Sequence, residues 1–545
     1  MRLRTGFLTS TIAVVAAVVA ACSSGGSTST ATSGSGGGGA SSTASATSAA
    51  AGTPVSGGSL NYLVTGILSQ WDLGLDPATG GAAPSIFEDA VFGQLFRLTP
   101  SGGIQPVMAS GYSVSDGGTT LTITLHSGIK FTDGTPFNAA AVAWNINRDL
   151  STPSTASPLG SWPPLVKGKD AVTTPNDTTV VLHFTAPYAP LIATLIGSNV
   201  NHIASPTAVQ KMGAKAFQKA PVGAGPFIVQ SNLVDHRLSL TRNPNYFQKG
   251  LPYLDKLEFT TVSDDQLEVE SLQSGAGQAA QITTPTIIES AKNNSSFNTL
   301  LLKGSTPSLV QLNTSAPPFN NKVAREAIYY ATDAQAIAQH LYNGMFPTSE
   351  SFLGPGDLFY QSTVPGYLGY DLTKAKQLVS SLGGLTINLF GPSDPLNTET
   401  LQALQQMWQQ AGIKVTIHPY TLAGLIAAFN KPWQAALQSN GAWDPGISDG
   451  LPFRFLSTAE FSGVHDKSLD AMMAQANKTL DPTQRAAEYH NIAKYISDNA
   501  YAPFLVASAP ASIALKNVHG PGIDQNIPII STVVVPYWDQ AWVGK

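Results

Sequence analysis

The sequence is short of charge, of cysteine and of long apolar runs, and each shortage narrows the function. Charged residues make up 12% of the 545, about half the proportion usual in soluble chains. The net charge of −5 leaves no basic footprint for a nucleic-acid partner. A single cysteine excludes a disulfide scaffold and any Cys-rich zinc site. After the N-terminus no apolar run approaches the roughly 18 residues that a membrane span needs. What is present is 43% apolar residues, 50 Gly and 37 Pro, in a chain long enough for about two to four domains.

The N-terminus accounts for the cysteine. Arg2 and Arg4 precede an apolar stretch, Phe7 to Ala21, with the length of a signal-peptide core. It ends in Val19-Ala20-Ala21-Cys22, which resembles a bacterial lipobox, so residues 1–22 read as a lipoprotein signal peptide with Cys22 as the lipidated residue. Residues 23–56 are almost wholly Ser, Gly, Ala and Thr, a composition that predicts a flexible tether with a reach of roughly 30 Å. Arg2 and Arg4 are the only charges in the first 56 residues, so the folded body is itself charge-poor. That favours neutral or zwitterionic ligands over strongly charged ones.

From Gly57 the pattern is mixed α/β without the regular alternation of a single barrel. Leu121 to Leu125 alternates as a half-buried strand, and Asp133-Gly134 reads as a tight turn. Asp371 is placed to cap a helix carrying Ala375, Leu378, Val379 and Leu382, closed by Gly383-Gly384. Leu401, Leu404, Trp408 and Ala411 share a face of a second helix, and the alternating strand Ile413 to Ile417 follows. Asp481-Pro482 opens a third, with Ala486, Tyr489, Ile492, Ala493 and Ile496 expected to face inward.

Several blocks, in order, resemble the oligopeptide/dipeptide/nickel-type (family 5) extracellular solute-binding proteins of ABC importers. They are Gly57 to Leu60 with Leu75 to Thr79, then Ile104 to Ala109. The longest runs from Asp116-Gly-Gly-Thr-Thr through Ile129-Lys-Phe-Thr-Asp133-Gly134-Thr-Pro136-Phe137 to Val142. Gly223-Ala-Gly225-Pro226-Phe227 and Arg242-Asn-Pro-Asn-Tyr246 come next, then Asn313, Pro318-Phe319, Val323 to Ala327 and Ala331 to Asp333. The chain departs from the family pattern at His126, at Ala140-Ala141 and at Gly275-Ala-Gly-Gln278.

The resemblance implies an α/β, two-lobed periplasmic-binding-protein-like fold with a hinge of two crossings and an extra inserted domain. Lobe I is expected at 57–95, 223–305 and 516–545, the inserted domain at 96–222 and lobe II at 306–515. Ligand would lie between the lobes. Ser439 to Phe453 resembles the family's cleft loop, in which an acidic residue of peptide-binding members pairs with the ligand's α-ammonium. Asn440, Gly441, Trp443, Asp444 and Asp449 are therefore the candidate contacts on lobe II, although turns at Asp444-Pro-Gly and Asp449-Gly explain the same residues. On lobe I, Gly80, Gly81 and Ala82 match the segment that pairs with bound peptide backbone, against the plainer reading of a flexible loop.

Nine scattered histidines form no HxH, HExxH or helical pair, so no metal site is expected. The chain has no GxSxG, no Walker-type loop and no GxGxxG after a strand, and no cofactor is expected. The reading is a monomer that is not an enzyme: a lipid-anchored receptor on the extracytoplasmic face, taking a peptide or similar small solute to ABC permease subunits. Two alternatives stand beside it. One is a receptor of the same fold for a metal chelate or haem. The other is a secreted hydrolase, for which only Asp444 and Asp449 are on offer.

Overall fold

The computed structural model describes residues 52–66, 71, 85–151, 165–166, 168, 170–234, 236–304, 306–448, 450–529 and 534–545. Cys22, the tether up to Ala51, Gly80, Gly81, Ala82 and Asp449 lie outside the described residues.

Two sheets organise the fold. The first has seven strands in the spatial order Phe297–Leu301, Ala511–Leu515, Ala279–Ile282, Ser59–Val64, Lys256–Thr261, Arg237–Arg242 and Phe227–Leu233. Its central strand is buried on both faces. Leu60, Tyr62 and Val64 pack with Phe87, Phe92, Phe259 and Trp538, while Leu63 packs with Val269, Leu272 and Ile288 on the other side. The second sheet has five strands in the order Ile413–Tyr420, Leu385–Pro392, Ala435–Ser439, Thr306–Leu312 and Phe504–Ser508. Leu385, Ile387 and Leu389 alternate toward Leu401, Leu404 and Trp408 of the helix Pro395–Gln410. A four-stranded antiparallel sheet, in the order Ala109–Ser115, Thr120–Leu125, Thr179–His183 and Val172–Asn176, lies in the segment expected as the inserted domain.

Helix ends follow the caps in the sequence. Asp371 accepts a hydrogen bond from Lys374 N, and Asp481 accepts one from Gln484 N at 2.7 Å ahead of Pro482 at the first helical position. Each such cap is worth roughly 1 kcal/mol. On the helix Pro482–Asp498 the buried face is Arg485, Tyr489, Ile492, Ala493 and Ile496; Ala486, expected inside, is only half-buried. A charged residue takes the inward position because its partner lies elsewhere in the fold.

Two crossings join the sheets, through residues 302–304 and through Ala509–Pro510, and Leu302 N donates to Pro510 O at 3.1 Å. Ala511–Leu515 pairs with both Ala279–Ile282 and Phe297–Leu301, so lobe I resumes ahead of residue 516. Pro510 marks the change of sheet, since it donates no ladder hydrogen bond. Two segments brace the first crossing. Lys303 N donates to Asn526 Oδ1 and Ile529 N to Lys303 O, while Gly304 N donates to Pro355 O. A Cβ on Gly356 would stand 2.4 Å from Gly304 N, so this close approach requires glycine.

Strand direction places the cleft. In the seven-stranded sheet Ser59–Val64, Lys256–Thr261 and Ala279–Ile282 are parallel, and the end at Ile282 pairs with Ala511 beside the crossing. In the five-stranded sheet Leu385–Pro392 runs parallel to Ile413–Tyr420 and Ala435–Ser439, with Ser439 paired to Ser308 just after the crossing. The carboxyl ends of the parallel strands of both lobes therefore meet at the hinge, where open α/β sheets bind ligands.

Candidate functional site

Lobe II brings its loop to this junction straight from the carboxyl end of Ala435–Ser439. Asn440 comes first, tied by its own N–H to Pro307 O at 2.9 Å and 4% exposed. Its Oδ1 is buried with no hydrogen-bond partner among the described residues. Beneath it Gln438 Nε2 donates to Gln311 Oε1 at 2.5 Å, and Gln311 donates to Arg454 O. Arg454 returns Nε to Ser439 O at 3.1 Å, with its guanidinium over the Phe453 ring. Gly441 is buried as well.

The next turn plugs into the inserted domain. Ala442, Trp443 and Ile447 join an apolar cluster with Leu95, Leu98, Met108, Leu121 and Phe131. A Cβ on Gly102 would lie 3.6 Å from Trp443 Nε1, and Trp443 O accepts from Leu358 N. Tyr188 donates its hydroxyl to Gly446 O at 2.9 Å, and Ala189 N donates to Asn477 O at 2.7 Å. Trp443 thus packs between lobe II and the inserted domain, with only 7% of its surface exposed.

Asp444 turns inward. Its Oδ1 accepts from Arg485 Nη2 at 2.6 Å and from Gly446 N at 2.9 Å, and its Oδ2 accepts from Arg485 Nη1 at 2.8 Å. Arg485 also donates Nε to Ala476 O and lies 5.2 Å from the centroids of Phe359 and Tyr489. Burial pulls the guanidinium pKa down, but the charge and hydrogen bonds of Asp444 outweigh it and hold it above its ordinary value. Gly446 leaves no space for a side chain: a Cβ there would be 2.3 Å from Asn477 Oδ1 and 2.6 Å from the Tyr489 hydroxyl.

A second buried charge cluster sits where lobe I meets the inserted domain. Glu88 and Asp89 come from the helix Ser85–Phe92, and His202 from the segment returning out of the inserted domain. His202 Nε2 stands 2.5 Å from Asp89 Oδ1, and Nδ1 stands 3.5 Å from Glu88 Oε2. Burial pulls the His202 pKa down; Asp89, Glu88 and Asp149 together outweigh it and raise it. Burial likewise raises the Asp89 carboxyl, against His202, Gln94 and Arg97. Asp89 also lines a small pocket with Gln94, Arg97, Tyr246, Tyr537 and Asp539, across which Arg97 pairs with Asp539 at 3.1 Å.

Of the residues singled out from sequence, the structure brings Asn440, Gly441, Trp443 and Asp444 into one loop at the hinge end of lobe II. Sequence reasoning missed Arg485, His202 and Asp89. Only Arg485 carried a local signal, its spacing with Tyr489, Ile492 and Ile496 along one helix face. Among the described residues no group of three or more His, Cys, Asp or Glu is placed to hold a metal ion, and no helix is long and apolar enough to cross a membrane.

Residues 103–462 match the family described as bacterial extracellular solute-binding proteins, family 5 Middle. The glutathione-binding protein GsiB of Salmonella typhi is 29% identical over 451 residues, covering 78% of this chain and 85% of that one. GsiB of Shigella boydii serotype 4 (strain Sb227) is 30% identical over the same shares. Among solved structures, the substrate-binding protein CtaP of Listeria monocytogenes aligns with TM-score 0.76 and 22% identity over 90% of this chain and 99% of its own. DppA of Helicobacter pylori, in complex with the peptide STSA, aligns with TM-score 0.73 and 20% identity over the same shares. NikA of Staphylococcus aureus, in complex with Ni(L-His)2, aligns with TM-score 0.70 and 20% identity over 87% and 98%. At these identities the structures speak for the fold.

Proposed function

Because the chain belongs to the bacterial extracellular solute-binding proteins of family 5, we propose that it captures a short peptide or peptide-like solute between its lobes and delivers it to an ABC permease. The observation that carries this reading is the meeting of both sheets' parallel-strand ends at paired crossings, with a buried, unpartnered acceptor on Asn440 beside them. The glutathione-binding relatives support a peptide-like ligand. No chemistry is required of the site: binding shifts the lobes toward a closed form because the ligand touches both at once. Cys22 would carry the lipid anchor, with residues 23–56 as the leash to the extracytoplasmic face of the membrane. Asp449 and the Gly80-Gly81-Ala82 segment are proposed as further ligand contacts.

Native mass spectrometry of protein purified from its host without refolding tests the proposal, followed by thermal-shift titration with di- to pentapeptide pools. The expected result is a retained or added peptide-sized mass and a raised Tm, with a smaller radius of gyration by X-ray scattering. No stabilisation by any pool, with no change in scattering, sinks it.

A further inference from the structure

Resting on that reading, we infer that the turn from Trp443 to Gly446 is a clasp: docked on the segment of the four-stranded sheet, it holds the lobes together before any solute arrives.

Two buried ion pairs weld that segment to lobe I, His202 to Asp89 and Arg97 to Asp539. Backbone bonds from Leu95 N to Asn201 O and from Thr132 N to Gly223 O reinforce them. Such pairs do not part readily, because each partner would be left as an uncompensated buried charge. The contacts with lobe II are of another kind. Tyr188 donates its hydroxyl to Gly446 O, Ala189 N donates to Asn477 O, and Trp443 enters the apolar cluster of Leu95 and Leu98. Further along, Leu480 closes on Gly118, where a Cβ would stand 3.0 Å from Leu480 Cδ1. Neutral bonds and apolar surface separate and re-form without stranding a charge.

Away from the two crossings, this contact is a second attachment of lobe II to lobe I, so opening about the hinge has to undo it. Lobe II presents its half rigidly. Asp444 accepts from Arg485 on one side and from Gly446 N on the other, which fixes the turn carrying Trp443 and Gly446 O. The buried ion pair thus shapes the clasp and needs no contact with solute. A clasp raises the fraction of chains already closed, and apparent affinity rises in proportion for every solute alike.

The test places spin labels at Glu270→Cys in lobe I and Lys376→Cys in lobe II, both exposed, in the full chain with Cys22→Ser. Distances are read by pulsed electron resonance, with retained solute stripped and none added. The labelled chain is expected to show mainly the shorter of two distances. Tyr188→Phe leaves Gly446 O bonded to Asn477 Nδ2. It should lower the closed-to-open ratio about threefold to tenfold, with Tm nearly unchanged. Trp443→Leu should lower the ratio further. A chain that is open without solute overturns the inference, and so does an unaltered ratio in both variants. Di- to pentapeptide pools added afterwards decide the solute reading separately, which fails if no pool recloses the opened variants.

Discussion

Two buried charge clusters hold this protein's loops in place, and they are built on opposite principles. In lobe II a guanidinium meets a carboxylate in two parallel hydrogen bonds, with the remaining donors placed on carbonyl, hydroxyl and aromatic partners. Where lobe I meets the inserted domain, one histidine faces Asp89 and Glu88, with Asp149 near enough to act on it. The first pairs one cation with one anion, and Arg485 is held above its ordinary pKa. The second has more acid than base and depends on a proton. Satisfying every hydrogen bond gives a fixed part; leaving charge to be balanced by protonation gives a part that reads pH.

Breaking the first cluster should have the largest effect. Arg485→Met leaves Asp444 buried and unpaired and should cost about 3–5 kcal/mol, measured by denaturant unfolding. Adding Asp444→Leu should restore most of that loss, since an apolar pair of similar volume replaces a buried ion pair at little cost. In the second cluster His202→Gln should cost about 1–3 kcal/mol near neutral pH, for the lost partner of Asp89. It should also change the pH profile. The His202 pKa is raised in the fold, so its stabilisation is complete below about 6.5 and is lost as pH rises through the raised value. Wild type should therefore lose Tm toward alkaline pH, and the glutamine variant should lose less; equal slopes would contradict the assignment. The smallest effect at low pH is expected at Glu268, a buried carboxyl on the helix Asp265–Gln273 of lobe I that burial pushes up to about 8, with Asp265 and Asp264 adding to the rise. Its contribution is complete below about 4.5 and is lost as pH climbs through about 8. Glu268→Gln should flatten that loss while leaving Tm at low pH nearly unchanged.

Much of the fold was written locally. Asp371 and Asp481 cap their helices, Leu121 to Leu125 forms its strand, and Gly134 takes φ +84° in the turn read from Asp133-Gly134. Each rests on contacts within a few residues, which periodicity and turn chemistry can reach. The ion clusters were out of reach because their partners are far apart in the chain, 41 residues for Asp444 and Arg485 and 113 for Asp89 and His202. Spacing puts Arg485 on the inward face with Tyr489, Ile492 and Ile496, but nothing local names the carboxylate that would make a charge there tolerable. Trp443 was legible as a special residue, but its burial against the inserted domain required two distant segments to be placed together.

In the proposed closure, the hinge would turn these fixed parts into motion. The crossings run side by side and share the bond from Leu302 N to Pro510 O, while backbone contacts at Gly304 and Gly356 allow almost no slack. On the proposed reading such a joint would resist sliding and permit twist, with the lobes as levers about a short pin. A rotation too small to stretch a hydrogen bond at the pin becomes a wide swing at the far rim. Substitutions at these glycines would therefore reset the mechanical gain of the molecule without touching any residue that meets the solute.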